Sequence, residues 1–232
     1  MNGERTVASL RRIGAASLVG FPAVLAVAYV LHFAGEFRPA DALRLRLVYE
    51  QPPAARFMEL FRSSSPVDFV LPHLAIFLAL PLLVPAVVYL ASLLFERKPR
   101  LAVAGAALAL AGTIYMGGVF GAWLSFTAAG RVGTGEVAGA VPVVAALIQG
   151  PMLKGISALA ALSIVGLGVI LAGLLATAAI PRWRAASMLA GSAMILAFMD
   201  IDNLMLVGTL LWIAGALPQL VARSARPAPA AA

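Results

Sequence analysis

Two aspartates and an asparagine interrupt an apolar run near the C-terminus of this 232-residue chain. They are Asp200, Asp202 and Asn203, within ILAFMDIDNLMLVG. Carboxylates at mid-depth in a membrane mark ion or proton pathways, because burying charge in hydrocarbon is costly. At a turn between two helices, Asp200 or Asp202 would instead cap the second helix at its positive end. The charge pattern described below favours the turn.

The two histidines, His32 and His73, could hold a metal ion or a b-type haem, since neutral imidazole is a common ligand for both. They lie near adjacent ends of two neighbouring apolar segments, so antiparallel helices would bring them to similar depth. A zinc site would need further ligands, for which Glu36 and the C-terminal aspartates are the candidates. Histidines that form hydrogen bonds at the membrane interface are the favoured interpretation, with a cofactor as the alternative.

Lys154 follows Pro151, a residue typical of the first turn of a helix. Its ammonium group would either extend to water at the membrane surface or pair with Asp200 or Asp202. Asp68, in SSSPVD, is explained by helix capping. The chain has no cysteine and no phosphate loop, HExxH or GxSxG motif, so the sequence does not favour an enzyme.

Pro81 and Pro85 lie one turn apart within a single apolar segment, LALPLLVPAVV. Each proline lacks an amide donor, so the helix is predicted to kink. The kink is either static, with the unpaired carbonyl groups satisfied by neighbouring helices, or functional. In the functional case the carbonyl groups would bind an ion, or the kink would be the hinge of a transporter.

Hydrophobic residues make up 62% of the chain and charged residues 12%, with a mean hydropathy of +0.98. Soluble domains are roughly half apolar and about a quarter charged, so the sequence predicts an all-α, polytopic membrane protein. Six apolar segments are long enough to cross the ~30 Å hydrocarbon core. They cover about residues 13–34, 67–95, 101–128, 152–180, 182–199 and 204–221.

Six spans place both termini on one side of the membrane. That side then carries ten basic and two acidic residues, so the positive-inside rule assigns it to the cytoplasm. The arginine- and alanine-rich composition is typical of a bacterial protein, which predicts the inner membrane. The basic residues form short clusters between apolar spans, so the pI of about 10.8 does not indicate nucleic-acid binding.

The segments between the spans carry weaker patterns. In the outer loop 35–66, residues 43–50 alternate as a strand would, and residues 54–62 have the spacing of an amphipathic surface helix. The apolar segment 137–150 is too short to span and could be re-entrant. Residues 223–232 are predicted to form a disordered tail.

Small residues indicate where helices pack closely. Gly117 and Gly121 form a GxxxG motif in the third span, and Gly166, Gly168 and Gly173 provide small surfaces in the fourth. Contacts within one bundle are the expected use of these residues, with dimerisation as the alternative.

Ionisable side chains within the predicted spans concentrate toward their outer ends, where they would form a polar cup. The predicted function is a non-catalytic accessory or binding subunit of a larger membrane assembly, in contact with lipid and with other subunits or further copies of itself. The alternatives are a permease component with Pro81 and Pro85 as its hinge, and a haem or metal redox protein that uses His32 and His73. The cup residues are His32, Glu36, His73, Lys154, Asp200, Asp202 and Asn203.

Overall fold

A computed structural model describes residues 2–33, 70–131, 150–198 and 202–224. Within these ranges the chain forms seven helices and no strand, so the all-helical prediction is confirmed there. In chain order the helices are α1 (Asn2–Phe33), α2 (Leu71–Phe95), α3 (Pro99–Arg131), α4 (Pro151–Ala160), α5 (Leu162–Thr177), α6 (Arg182–Ala197) and α7 (Asp202–Ser224).

Several predicted features lie outside the described residues. They are the strand-like segment 43–50, the surface helix 54–62, the Asp68 cap and all but the last residue of segment 137–150. At the other end of the chain, α7 continues to Ser224 and so includes the first two residues of the predicted tail 223–232.

Four helical segments are long and apolar enough to cross a membrane. They are Thr6–Leu31, Leu71–Phe95, Pro99–Ser125 and Pro151–Thr177. The remaining two predicted spans also coincide with helices, but their apolar stretches are shorter than 18 residues. α6 has 16 residues and is therefore about 24 Å long, and α7 contains an apolar stretch over Leu204–Leu220.

The helices form a closed ring in which each one packs against its neighbours along the chain. α1 packs against α2, α2 against α3, and α3 against both α4 and α5. The ring continues through α5, α6 and α7, and α7 closes it by packing against α1. α2 and α5 also touch across the ring. The described chain is thus one bundle.

The last two helices form an antiparallel hairpin. At the start of α6, the carbonyl oxygen of Arg184 would lie 2.6 Å from a Cβ placed on Gly215 of α7. Further along α6, the Ser187 hydroxyl donates a hydrogen bond to the carbonyl oxygen of Leu211 at 2.6 Å. Residues later in α6 therefore face residues earlier in α7. The chain therefore reverses direction between the end of α6 and the start of α7.

Antiparallel packing also relates the other neighbouring spans. A Cβ on Gly105 of α3 would lie 2.6 Å from Cγ1 of Ile170, and one on Gly118 would lie 3.6 Å from Cγ2 of Ile156. α4 and α5 together therefore run antiparallel to α3 between Gly105 and Gly118. Gly14 of α1 likewise faces the later part of α2, near Pro85.

Two hydrogen bonds tie helix ends together on one side of the bundle. The Tyr89 hydroxyl donates to Oε1 of Gln219 at 3.3 Å, which joins the later parts of α2 and α7. Arg97, just after α2, donates through Nη1 to the carbonyl oxygen of Thr177, the last residue of α5. We call this side the basic end, and the other side the opposite end. The starts of α1, α3 and α6 also lie at the basic end.

The predicted fourth span, 152–180, is interrupted in the structure. The α-helix breaks at Ala161, between α4 and α5, and then ends at Thr177. Ala178 follows with φ 48° and ψ 36°, a left-handed conformation that usually favours glycine. Because the carbonyl oxygen of Ala161 accepts from both Ile164 and Val165 at 3.1 Å, the break is local and the two helices stay stacked.

Close helix packing occurs at glycines other than the GxxxG pair. A Cβ on Gly117 or Gly121 would lie 3.8 or 3.9 Å from a side chain of α2, an ordinary van der Waals distance. The motif therefore makes an in-bundle contact, as predicted, but not a tight one. At Gly166 a Cβ would lie 2.8 Å from Cα of Ala109, and at Gly191 it would lie 2.9 Å from the backbone nitrogen of Trp212.

Candidate functional site

The predicted cup residues that the structure describes all lie at the opposite end of the bundle. Because neighbouring spans alternate in direction, this end collects the end of α1 and the starts of α2, α4 and α7. Glu36 and Asp200 lie outside the described residues, and the side chains of several others are not described. The helical positions are His32, His73, Lys154, Asp202 and Asn203.

The ring does not place Lys154 beside the start of α7. Lys154 is an exposed residue of α4, and α4 packs against α3 and α5. Asp202 begins α7, which packs against α6 and α1. α6 therefore lies between the elements that carry Lys154 and Asp202. The pairing of Lys154 with Asp202, one of the two alternatives offered by the sequence, would have to bridge this separation.

His73 is half-buried in the first turn of α2 and contacts α3. Its ring centroid lies 6.1 Å from that of Phe120, with an angle of 58° between the rings. No group of three potential ligands drawn from His, Cys, Asp and Glu occurs among the described residues. The described part of the cup thus supplies an aromatic neighbour for His73. It supplies no three-ligand metal site.

The predicted hinge lies where α1 and α2 approach each other. α2 remains helical through both prolines, with Pro81 exposed and Pro85 half-buried. A Cβ on Gly14 would lie 2.9 Å from the carbonyl oxygen of Pro85 and would also overlap the side chain of Tyr89. The neighbouring helix is therefore packed tightly against the second proline, which restricts movement at that point.

The buried polar side chains in the described bundle are hydroxyl groups and aromatic residues. The buried Ser and Thr residues are Ser17, Thr113, Ser163, Ser192 and Thr209. Four of them donate to a backbone carbonyl three or four residues earlier, at 2.8 to 2.9 Å. No Asp, Glu, Lys, Arg or His is buried among the described side chains. The described interior therefore offers no chain of charged groups for ions or protons.

Trp212 is a buried polar group that the sequence interpretation did not single out. It is 2% exposed, and its ring lies 6.4 Å from that of Phe21 in an edge-to-face arrangement. Its Nε1 has no hydrogen-bond partner among the described residues. The signal in the sequence is its place midway along a span, away from the interfacial belts where tryptophan is usually found.

The third helix is the least covered of the four long spans. Only 22% of its most apolar 18-residue stretch is buried within the bundle, against 50% of the corresponding stretch in each of the other three helical segments. Its exposed positions include Ala104, Ala107 and Ile114. They follow one another at steps of three and seven residues, as along one seam of a helix pair. Of these, Ile114 is 75% exposed.

Comparison of the chain with known protein families, with curated proteins and with solved structures gives no match.

Proposed function

We propose that this chain is a six-span protein of the bacterial inner membrane with both termini in the cytoplasm. The closed antiparallel ring supports six spans, because its six stacked units alternate in direction. α6, at about 24 Å, is short for a span but can cross where flanking arginines reach the interface and the bilayer thins. The cluster of arginines and lysine at the basic end supports a cytoplasmic location for that end.

Within the membrane, we propose a non-catalytic accessory or binding subunit of a larger assembly. The observation that carries this proposal is the exposed seam of α3, which we define as Ala104, Ala107 and Ile114. Membrane helices associate through small residues that let backbones approach, since lipid provides no hydrophobic drive for association. A second subunit or another copy of this chain would cover the seam.

The described interior supports a subunit over an ion-coupled carrier. Carriers of that class place ionisable residues near the bilayer midplane, where they bind the coupling ion or relay protons. The buried polar groups described here are mainly hydroxyls that are already bonded within their own helices. The tight packing of Gly14 against Pro85 likewise supports a static kink and not a hinge.

The proposal can be tested with a tryptophan placed on the seam. Ala107→Trp adds a large side chain at an exposed position, so the isolated bundle should fold normally while close approach of a partner helix is blocked. Val88→Trp, on the exposed face of α2, is the matched control. We expect the native protein and the control to migrate as a complex after mild-detergent extraction, and Ala107→Trp to migrate as a monomer.

Three results would count against the proposal. If the unmodified protein runs as a lone monomer with nothing copurifying, the seam faces only lipid. If liposomes containing this protein alone take up solute, the permease interpretation with Pro81 and Pro85 replaces it. A haem or metal absorption spectrum that is lost in His73→Phe would instead support the redox interpretation.

A further inference from the structure

The two helices of the predicted fourth span are held in the bundle to different extents. α5 packs against α2, α3 and α6, and eight of its sixteen residues are buried. Apart from its junction with α5, α4 packs among the described elements against α3 alone. Two of its ten residues, Leu153 and Ala160, are buried. Segments with few buried contacts open at low free-energy cost, so α4 is held weakly and α5 firmly.

The surface of α4 is largely uncovered. Met152 is 66% exposed and Leu159 is 40% exposed, and Lys154 and Ala158 are exposed between them. A Cβ on Gly155 would have no described atom within 4 Å. Beyond the junction the situation changes, because α6 packs against α5. The half-helix α4 therefore has room to move, and the rest of the span does not.

The junction between α4 and α5 is bonded without a regular helical ladder. The carbonyl oxygen of Ala161 accepts from the amides of both Ile164 and Val165. The buried hydroxyl of Ser163 donates to the carbonyl oxygen of Ala160 at 2.8 Å. A serine hydroxyl that bonds back to its own helix competes with the backbone ladder and often bends the helix. Bending at this point therefore breaks few regular hydrogen bonds.

α3 holds the two sides of the junction differently. A Cβ on Gly112 would lie 2.6 Å from the carbonyl carbon of Leu162 and 2.7 Å from Cα of Ser163, so the backbones touch at the start of α5. Beside α4, a Cβ on Gly118 would lie 3.6 Å from Cγ2 of Ile156, an ordinary contact with a side chain. The backbone contact fixes the start of α5, whereas the looser contact beside α4 can separate.

We propose that α4 is a movable half-helix that swings away from α3 about the junction at Ala161. The swing uncovers Leu153 and Ala160, and it carries the cup residue Lys154 with it. The opposite end of the bundle thereby opens between α3 and α4 while α5 stays in place. This movement is independent of the α3 seam proposed above, because it needs no partner protein.

The first test is amide hydrogen exchange of the unmodified protein in a neutral detergent, read by mass spectrometry. It compares residues 155–160 of α4 with residues 192–197, the last residues of α6 at the same end of the bundle. We expect the α4 segment to exchange at least about tenfold faster, because opening α4 breaks few buried contacts. Residues 166–171 of α5 should exchange as slowly as the α6 segment or more slowly.

The second test stops the movement with a disulfide. The chain has no cysteine, so Gly118→Cys/Ile156→Cys contains a single pair of thiols. The close approach of these two positions suits a disulfide between α3 and α4. We expect oxidation to slow the exchange of residues 155–160 to the rate of the α6 segment, and reduction to restore the fast rate. The reduced form is the matched control, because it carries the same two substitutions.

Either of two results would contradict the swing. If residues 155–160 of the unmodified protein exchange as slowly as residues 192–197, α4 is fixed in place. If their exchange stays fast after the disulfide has formed, α4 loses its helical hydrogen bonds locally without moving away from α3. The first measurement needs no substitution, so it decides the question even if the cysteine variant does not fold.

Discussion

Gly191 and Gly117 allow a sharp test of the packing described here. The GxxxG motif identifies Gly117 as a packing residue from sequence, while the structure places the tighter contact at Gly191 between α6 and α7. A Cβ on Gly191 would overlap the carbonyl oxygen of Gly208 and lie 2.9 Å from the backbone nitrogen of Trp212. Both neighbours are backbone atoms, which cannot rotate away as a side chain would.

The expected free-energy changes have opposite signs. Replacing a helical glycine with alanine favours the helix by roughly 0.8–1 kcal/mol. At Gly117 the new methyl group would lie 3.8 Å from Cδ1 of Leu80, so this gain should be kept. At Gly191 overpacking costs about 1–3 kcal/mol, and a rigid backbone contact places it at the upper end. The net loss for Gly191→Ala is therefore about 1–2 kcal/mol, and the variants should differ by about 2–3 kcal/mol.

The assay is reversible unfolding of the purified protein by increasing the mole fraction of SDS in mixed micelles, followed by helical circular dichroism. Gly166→Ala serves as a second tight site, because its Cβ would lie 2.8 Å from Cα of Ala109. We expect both tight-site variants to unfold at lower SDS than the native protein, and Gly117→Ala at equal or higher SDS. The packing argument would be refuted if Gly117→Ala were the least stable of the three.

Three further predictions use the same titration. Ala178→Gly should raise the stability by about 0.5–1 kcal/mol, because Ala178 has φ 48°; a loss of stability would contradict that conformation. Tyr89→Phe should cost about 0.6 kcal/mol, and this cost should be smaller in a Gln219→Leu background, which removes the acceptor of the Tyr89 hydroxyl; an unchanged cost would contradict the hydrogen bond. Trp212→Phe should cost less than about 1 kcal/mol, since it also removes a buried donor without a described acceptor, whereas Trp212→Ala should cost about 3–5 kcal/mol.

The sequence predicted the helical class and the helix positions well, because both follow from averages over many residues. Long apolar runs and their basic flanks sufficed to locate α2 and α3 and to separate α6 from α7. The turn interpretation of the aspartates near residue 200 followed from the same charge pattern. None of these inferences depends on the identity of a single residue.

Helix packing was harder to predict, because it depends on which face of each helix turns inward. Gly117 and Gly191 both stand within runs of small residues, and nothing local distinguishes the tight contact from the loose one. The break at Ala161 has no proline or glycine to mark it. For Lys154 the sequence left two alternatives open, extension to water at the membrane surface or pairing with Asp200 or Asp202. The order of helices around the ring, which the sequence does not state, separates α4 from α7.

The closed ring also implies an order of assembly. Each helix packs against elements next to it in the chain, so hairpins can join as they emerge from synthesis. The contact between α1 and α7 is different, because the face of α1 that packs against α7 stays uncovered until the last helix has been made. Phe21 and Trp212 meet at this contact. In a variant that keeps Trp212 as its one tryptophan, quenching or a spectral shift of its fluorescence during synthesis into membranes would thus report the final step, when α7 packs against α1.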